Sequence, residues 1–210
     1  MTVKIEVIHM PPENTNSVLI ESDGLAAIFD PWGRAQDWLN LLRERDLKLY
    51  AVYCTHGHFD HITGIPGLIE TTGAPWFLHP LDSPVVEWSN QILQKLGTPP
   101  INLEKIPPCP VAPGNMEILP GITAEVLHLP GHSAGGLAFY FPAQKTLIVG
   151  DTLFQEDYGR TDLISANDNA MKKSLAVLYA RNFPDDTAVI HGHGMETNIK
   201  WLYENNPFFK

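Results

Sequence analysis

The chain has 210 residues, of which 44% are hydrophobic, and its formal net charge is −10. This length and apolar content predict a single domain, residues 1–210, with a sizeable core. The acidic balance argues against a nucleic-acid partner, because phosphates require clustered Lys and Arg, although a small anionic substrate needs only local positive charge. The sequence shows no signal peptide and no apolar run approaching the ~18 residues of a membrane span, so we expect a cytoplasmic protein without a membrane partner.

The first half of the chain predicts strands that alternate with helices. In order, these are strands at 4–9, 17–21 and 26–29, a helix at 35–46, a strand at 49–55, a short helix at 64–70, a strand at 75–78 and a helix around 85–96. The strands are apolar or β-branched runs, and the helices are predicted from apolar residues three and four positions apart. The face of the last helix is predicted to carry Val85, Trp88, Ile92 and Leu96.

The second half begins with an irregular segment. Residues 97–113 contain six prolines, which interrupt helices and central strands, so this segment is either a surface connector or part of an active-site wall. Strands at 122–129, 136–141 and 146–149, a helix capped by Asn167 or Asp168, a strand at 187–190 and a helix at 198–204 follow.

A cluster of imidazoles closes the strand at 49–55. The run Thr55-His56-Gly57-His58-Phe59-Asp60-His61 places three His and one Asp within six residues, and neutral imidazole is a good ligand for zinc and similar metals. Three further segments, 129–133, 149–154 and 190–194, place His or Asp at predicted strand ends, where open-sheet enzymes hold their ligands. An incidental surface cluster is the alternative, but this convergence favours a metal site.

These motifs resemble a known family. His-X-His-X-Asp-His, Pro-Gly-His, Gly-Asp-Thr-Leu-Phe and Gly-His-Gly follow one another in the order found in the metallo-β-lactamase-fold hydrolases. The resemblance runs from around Ile20 to the end of the chain and implies an α/β fold, the αββα sandwich. Residues 159–163 and 206–209 are similar to the short bacterial type of glyoxalase II, or hydroxyacylglutathione hydrolase. Because the chain stops soon after His193, we expect it to lack the C-terminal helical domain that binds glutathione in longer relatives.

The resemblance also implies two divalent metal ions, zinc in first place, with iron or manganese as alternatives. On the family's pattern, His56, His58 and His132 hold one ion, Asp60, His61 and His193 hold the second, and Asp151 bridges both. His191 is an alternative to His193, although the Gly-His-Gly motif matches residues 192–194. Asp60 and Asp151 are the predicted catalytic carboxylates, because their negative charge offsets the repulsion between two dications.

The implied reaction is hydrolysis of a small anionic thioester such as S-lactoylglutathione by metal-bound hydroxide. Arg160 is predicted to hold an anionic part of the substrate, because a guanidinium forms a bidentate pair with a carboxylate. The alternative for Arg160 is an internal pair with Asp162.

Other functions are compatible with parts of the pattern. A mononuclear iron persulfide dioxygenase has the same fold, with its iron held by two His and one Asp, and another ester, lactone or phosphodiester is an alternative hydrolase substrate. The intact set Asp60, His61 and His193 favours the hydrolase over the dioxygenase. A degenerate binding module would require lost ligands, and all seven residues of the pattern are present. The sequence does not predict an oligomeric state.

Overall fold

The first of two β-sheets is built mainly from the N-terminal half of the chain. The computed structural model describes residues 2–10 and 15–210. This sheet contains, side by side in chain order, β1 (Lys4–Met10), β2 (Thr15–Ser22), β3 (Leu25–Phe29), β4 (Lys48–Tyr53), β5 (Trp76–Leu78) and β6 (Cys109–Pro110). Strands β1 to β3 are antiparallel, whereas β3 to β6 are parallel, so the carboxyl ends of β3, β4 and β5 meet at one edge.

The second sheet contains the remaining strands. They are β7 (Gly114–Leu119), β8 (Ile122–His128), β9 (Leu137–Phe141), β10 (Thr146–Gly150), β11 (Ala188–His191) and β12 (Thr197–Asn198), again side by side in chain order. All neighbours are antiparallel except β10 and β11, which run parallel. The parallel pair brings the ends of two strands, and the residues that follow them, to the same edge.

Helices connect the strands of both sheets. They are α1 (Ala35–Glu44), α2 (Phe59–Ile62), α3 (Ile65–Thr72), α4 (Ser83–Lys95), α5 (Asp168–Ala180) and α6 (Ile199–Asn205), with a 3-10 turn at Pro80–Asp82. Asn167 caps α5, because its side chain accepts a hydrogen bond from the backbone N–H of Ala170. This confirms one of the two predicted caps.

Three apolar layers hold the fold together. Between the sheets, the ring of Phe29 packs at 5.0 Å from those of Tyr53 and Phe139, which belong to opposite sheets. Outside the first sheet, buried residues of α1, α3 and α4 pack on its outer face; outside the second, α5 and α6 pack in the same way. The order of layers is helix, sheet, sheet, helix, which confirms the predicted αββα sandwich.

Two sequence predictions differ from the structure. Helix α4 buries Val85, Val86, Ser89 and Leu93, so its predicted face was right only in part: Val85 is buried and Trp88 is half-buried, but Leu96 is exposed. The proline-rich segment contains the short edge strand β6, where Pro110 is tolerated because an edge strand has one unpaired side.

Among the described residues, 2–10 and 15–210, every helix is too short or too polar to span a membrane.

Candidate metal centre

All seven predicted ligands lie at one edge of the sandwich, in segments that follow strands. The four residues of the imidazole motif follow β4. His56 and His58 precede α2, and Asp60 and His61 lie within α2. The other three follow strands of the second sheet: His132 comes after β8, Asp151 after β10 and His193 after β11. The two sheets therefore contribute to one cluster.

The side chains form overlapping groups of potential ligand atoms. The groups are His56, His58 and His132; His56, His61 and Asp151; and Asp60, His61 and His193, and within each the ligand atoms lie within 4.8 Å of one another. Asp151 is central: its carboxylate oxygens lie 3.4 Å from Nε2 of His61 and 3.5 Å from Nε2 of both His132 and His193. Nε2 of His193 also lies 3.2 Å from Oδ2 of Asp60.

Several potential donor atoms of the cluster lack hydrogen-bond partners and are suited to bind a metal ion. Nε2 of His56, His58 and His61 and Oδ1 of Asp151 are buried, and none has a hydrogen-bond partner among the described residues. Buried polar atoms without a partner destabilise a fold, and coordination of a cation would satisfy all four. The donor set of imidazoles and carboxylates suits a borderline divalent ion such as zinc or iron.

Glycine leaves room for this arrangement. A Cβ atom at Gly192 would lie 2.0 Å from Oδ1 of Asp151, and one at Gly159 would lie 1.8 Å from the carbonyl oxygen of the same residue. A larger residue at either position would therefore displace Asp151 from the centre of the cluster.

Asp30, which follows β3, orients one part of the imidazole motif. Its carboxylate accepts hydrogen bonds from the backbone N–H and the hydroxyl of Thr55, both at 2.7 Å, and lies 3.0 Å from Nδ1 of His61. A carboxylate on the second ring nitrogen of a metal-binding His fixes the ring's orientation and its tautomer.

Asp82 connects two of the ligand-bearing segments. This buried carboxylate accepts hydrogen bonds from Gly57 N at 2.9 Å, the Ser133 hydroxyl at 2.8 Å and Gly135 N at 2.5 Å. Sequence reasoning missed both Asp30 and Asp82. Both residues carry the same sequence signal as the predicted ligands, because each is a carboxylate shortly after an apolar strand.

Burial and charge divide the histidines into two kinds. Burial and the neighbouring His132 lower the pKa of His58 to about 3, and burial, together with His61, also lowers that of His56. Burial opposes the charged form of His193 as well, but Asp151 and Asp60 outweigh it and raise its pKa to about 9. The pKa of His61 is raised by Asp30 and Asp151, again against the effect of burial. A metal that binds His193 at neutral pH must therefore displace a proton.

The remaining predicted alternative, His191, points away from the cluster. Its Nδ1 lies 2.6 Å from the carbonyl oxygen of Leu153 and its Nε2 lies 2.8 Å from the hydroxyl of Thr197. Both ring nitrogens are thus engaged elsewhere, whereas His193 faces Asp60 and Asp151.

A cavity of about 290 Å³ opens over the cluster. It is lined by His58, Phe59, Asp60, Trp88, His132, Asp151, Arg160, Leu163 and His193. Trp88 meets His58 edge to face, with ring centroids 5.9 Å apart. None of the described lining residues comes from the proline-rich segment 97–113, so the surface-connector alternative describes that segment better.

Arg160 reaches this cavity, but its charge is paired. Its guanidinium donates two hydrogen bonds to Asp162, from Nε at 2.7 Å and Nη2 at 2.8 Å, and both side chains are largely exposed. The structure thus contains the internal pair and also places Arg160 on the cavity wall.

A four-layer αββα fold with a His and Asp cluster at one sheet edge defines a metal-dependent hydrolase of the metallo-β-lactamase type. The chain belongs to the metallo-beta-lactamase superfamily, whose sequence profile matches residues 10–193. No residue of the cluster lies outside this range.

Similar proteins include enzymes and metal-loaded structures. The hydroxyacylglutathione hydrolase GloC of Haemophilus influenzae is 33% identical over 209 residues, which cover 98% of each chain. The crystal structure of TTHA1623 in a di-iron-bound form is 33% identical with a TM-score of 0.86, covering 97% of this chain and 99% of that one. The structure of BLEG-1, a B3 metallo-beta-lactamase, is 29% identical with a TM-score of 0.85, covering 99% and 100%. The di-iron neighbour supports divalent metal ions at the cluster and leaves their identity open.

Proposed function

We propose that this protein hydrolyses a small anionic thioester, such as S-lactoylglutathione, at a centre of two divalent metal ions. The observation that carries the proposal is the position of Asp151, whose carboxylate lies within 3.5 Å of imidazoles from both predicted ligand sets. The 33% identity to a hydroxyacylglutathione hydrolase over nearly the whole chain supports the thioester class.

Each metal position would draw ligands from both sheets. His56, His58 and His132 would hold the first ion, Asp60, His61 and His193 the second, and Asp151 both. We propose zinc as the metal, with iron or manganese as alternatives. When bound, two such ions lower the pKa of a coordinated water from ~15.7 toward ~7 and stabilise negative charge on a reacting carbonyl.

The chain's own residues supply the remaining requirements of the reaction. Asp60 lines the cavity, where its carboxylate can accept a hydrogen bond from the attacking water. Phe59, Trp88 and Leu163 supply apolar surface to the lining of the same cavity. Because thiols ionise near pH ~8.5, the leaving group departs as a thiolate and needs no strong general acid.

Arg160 is the proposed contact for an anionic group of the substrate. It would have to exchange its present partner, Asp162, for a substrate carboxylate. Both side chains are exposed, so the existing pair is weak in water and can be replaced.

The test combines substrate turnover with metal analysis. Protein purified without added metal should contain two divalent ions per chain and should release thiol from S-lactoylglutathione faster than it hydrolyses a lactone or a phosphodiester. A single iron per chain, with oxygen uptake on a persulfide, would instead identify a dioxygenase. Faster turnover of the lactone or phosphodiester would overturn the thioester assignment while keeping the metal centre.

A further inference from the structure

Asn16 belongs to the first sheet but holds a segment of the second. It lies in β2, is 2% exposed, and its Nδ2 donates hydrogen bonds to the carbonyl oxygens of His191 at 2.9 Å and Gly194 at 2.8 Å. Its backbone N–H donates to the carbonyl oxygen of Gly192 at 2.7 Å. The neighbouring Thr15 forms an antiparallel bridge with His193 itself. These contacts fix the backbone on both sides of His193.

His193 depends on its backbone more than the other ligand histidines do. Nδ1 of His61 lies against Asp30, and Nδ1 of His132 lies 2.9 Å from the carbonyl oxygen of Arg160. Among the described residues, Nδ1 of His193 has no such partner, and the side chain is 30% exposed. Apart from the contacts of its Nε2 with Asp60 and Asp151, the ring is therefore oriented by the main chain that carries it.

We propose that Asn16 is a positioning residue for the second metal position: through the backbone of residues 191–194 it holds His193 against Asp60 and Asp151. Oδ1 of Asn16 is buried without a hydrogen-bond partner among the described residues, so the contribution of this amide lies in its donors. The inference rests on the proposed metal centre and is independent of the proposed substrate.

A purely structural role would look different. If Asn16 only joined the two sheets, its loss would lower the stability of the fold and affect both metal positions alike. If it positions His193, the second position weakens selectively, because the first takes its ligands His56, His58 and His132 from other segments.

The experiment is a competition titration of metal-free protein with Zn²⁺ against a chelator, which yields two dissociation constants. Asn16→Ala should weaken the second site about 10- to 100-fold, the range typical for loss of a residue that orients a ligand, and should change the first less than about threefold. Asn16→Ser, which keeps one donor, should give a smaller loss. Equal weakening of both sites, or no change in either, would overturn the inference.

Asn90→Ala is the matched control. The Asn90 amide also fastens a loop, donating to the carbonyl oxygen of Ile101 at 2.9 Å and accepting from its N–H at 2.8 Å, but it touches no predicted ligand. This variant should leave both constants unchanged. A selective loss at the second site in Asn90→Ala would count against the inference, because it would show that the site responds to general loosening.

A double-mutant cycle tests whether Asn16 acts through His193. In a His193→Ala background, Asn16→Ala should weaken the second site no further, because the ligand that it positions is gone. A further selective loss would contradict the inference, as would failure of both Asn16 variants to fold. Wild-type protein that binds fewer than two ions would remove the basis of the metal centre itself, which distinguishes that failure from a failure of this inference.

Discussion

At the scale of single residues, Asp151 is the side chain on which both predicted metal positions depend. It lies within 3.5 Å of imidazoles from both predicted ligand sets, whereas a terminal ligand such as His132 belongs to one. The four residues of the imidazole motif could be predicted from their local spacing, whereas His132, Asp151 and His193 were implied by the resemblance of their motifs to a family. Asp30, Asp82 and Asn16 were missed, because their place near or within an apolar strand does not reveal partners that lie 25 to 178 positions away along the chain.

The first prediction concerns this carboxylate. Asp151→Ala should lower thioester turnover more than ~100-fold and reduce metal content at both positions, because loss of a ligand exceeds the effect of losing a residue that only orients one. His132→Ala should mainly deplete one position. Metal analysis of the purified variants checks this, with Asp157→Ala as a control at an exposed carboxylate nearby. Two ions per chain in Asp151→Ala would contradict the bridging role.

The second prediction concerns the pair Arg160 and Asp162. Arg160→Ala should raise KM for S-lactoylglutathione about tenfold and leave a small neutral thioester nearly unaffected, since the guanidinium would bind only an anionic group. Asp162→Ala frees Arg160 and should lower that KM. Steady-state kinetics with both substrates check this. If both substrates respond alike to Arg160→Ala, the arginine has no role in recognising charge.

At the scale of secondary-structure elements, the sequence predicted most strands and helices correctly. The ligand-bearing strands β4, β8, β10 and β11 were predicted because they are short apolar runs with clear ends. The face of α4 was predicted only in part, because Val85 and Val86 are adjacent and a helical spacing can be continued from either of them. The choice between them depends on what the helix packs against, which is a property of the folded chain.

Asp82 shows how one residue joins several elements. It lies between β5 and α4, and its carboxylate holds the segments after β4 and β8. Asp82→Ala should lower the free energy of unfolding by about 3 kcal/mol or more, because it leaves buried donors unpaired. Urea unfolding measures this. Asp37→Ala, which breaks an exposed pair with Arg34, should change stability little and serves as the control. Similar losses in the two variants would argue against the connecting role.

At the scale of the whole molecule, the carboxylates of the cluster make stability depend on pH and on metal. The pKa of His193 is raised from 6.5 to about 9, so in metal-free protein its contribution to stability is complete below pH 6.5 and is lost as pH rises through about 9. Metal binding has the opposite dependence, because it requires neutral imidazole and so strengthens as pH rises over the same window.

We therefore expect the stability of metal-free protein and the stabilisation by Zn²⁺ to change in opposite directions with pH. Between pH 6.5 and 9, the Tm of metal-free protein should fall while the increase in Tm caused by Zn²⁺ should grow. Thermal unfolding at matched ionic strength checks this. A Zn²⁺ effect that stays constant with pH would show that metal binding displaces no protons from the cluster.

Because both sheets supply ligands, the metal content of a preparation also reports whether the two sheets have assembled. One sheet supplies the imidazole motif after β4, and the other supplies His132, Asp151 and His193, so a chain in which a single sheet has formed holds only part of either ligand set. The number of ions retained per chain then sets a lower bound on the fraction of native molecules. In a preparation with substoichiometric metal, added metal would load native protein that lacks ions but not misassembled protein, so the shortfall that remains would measure misassembly.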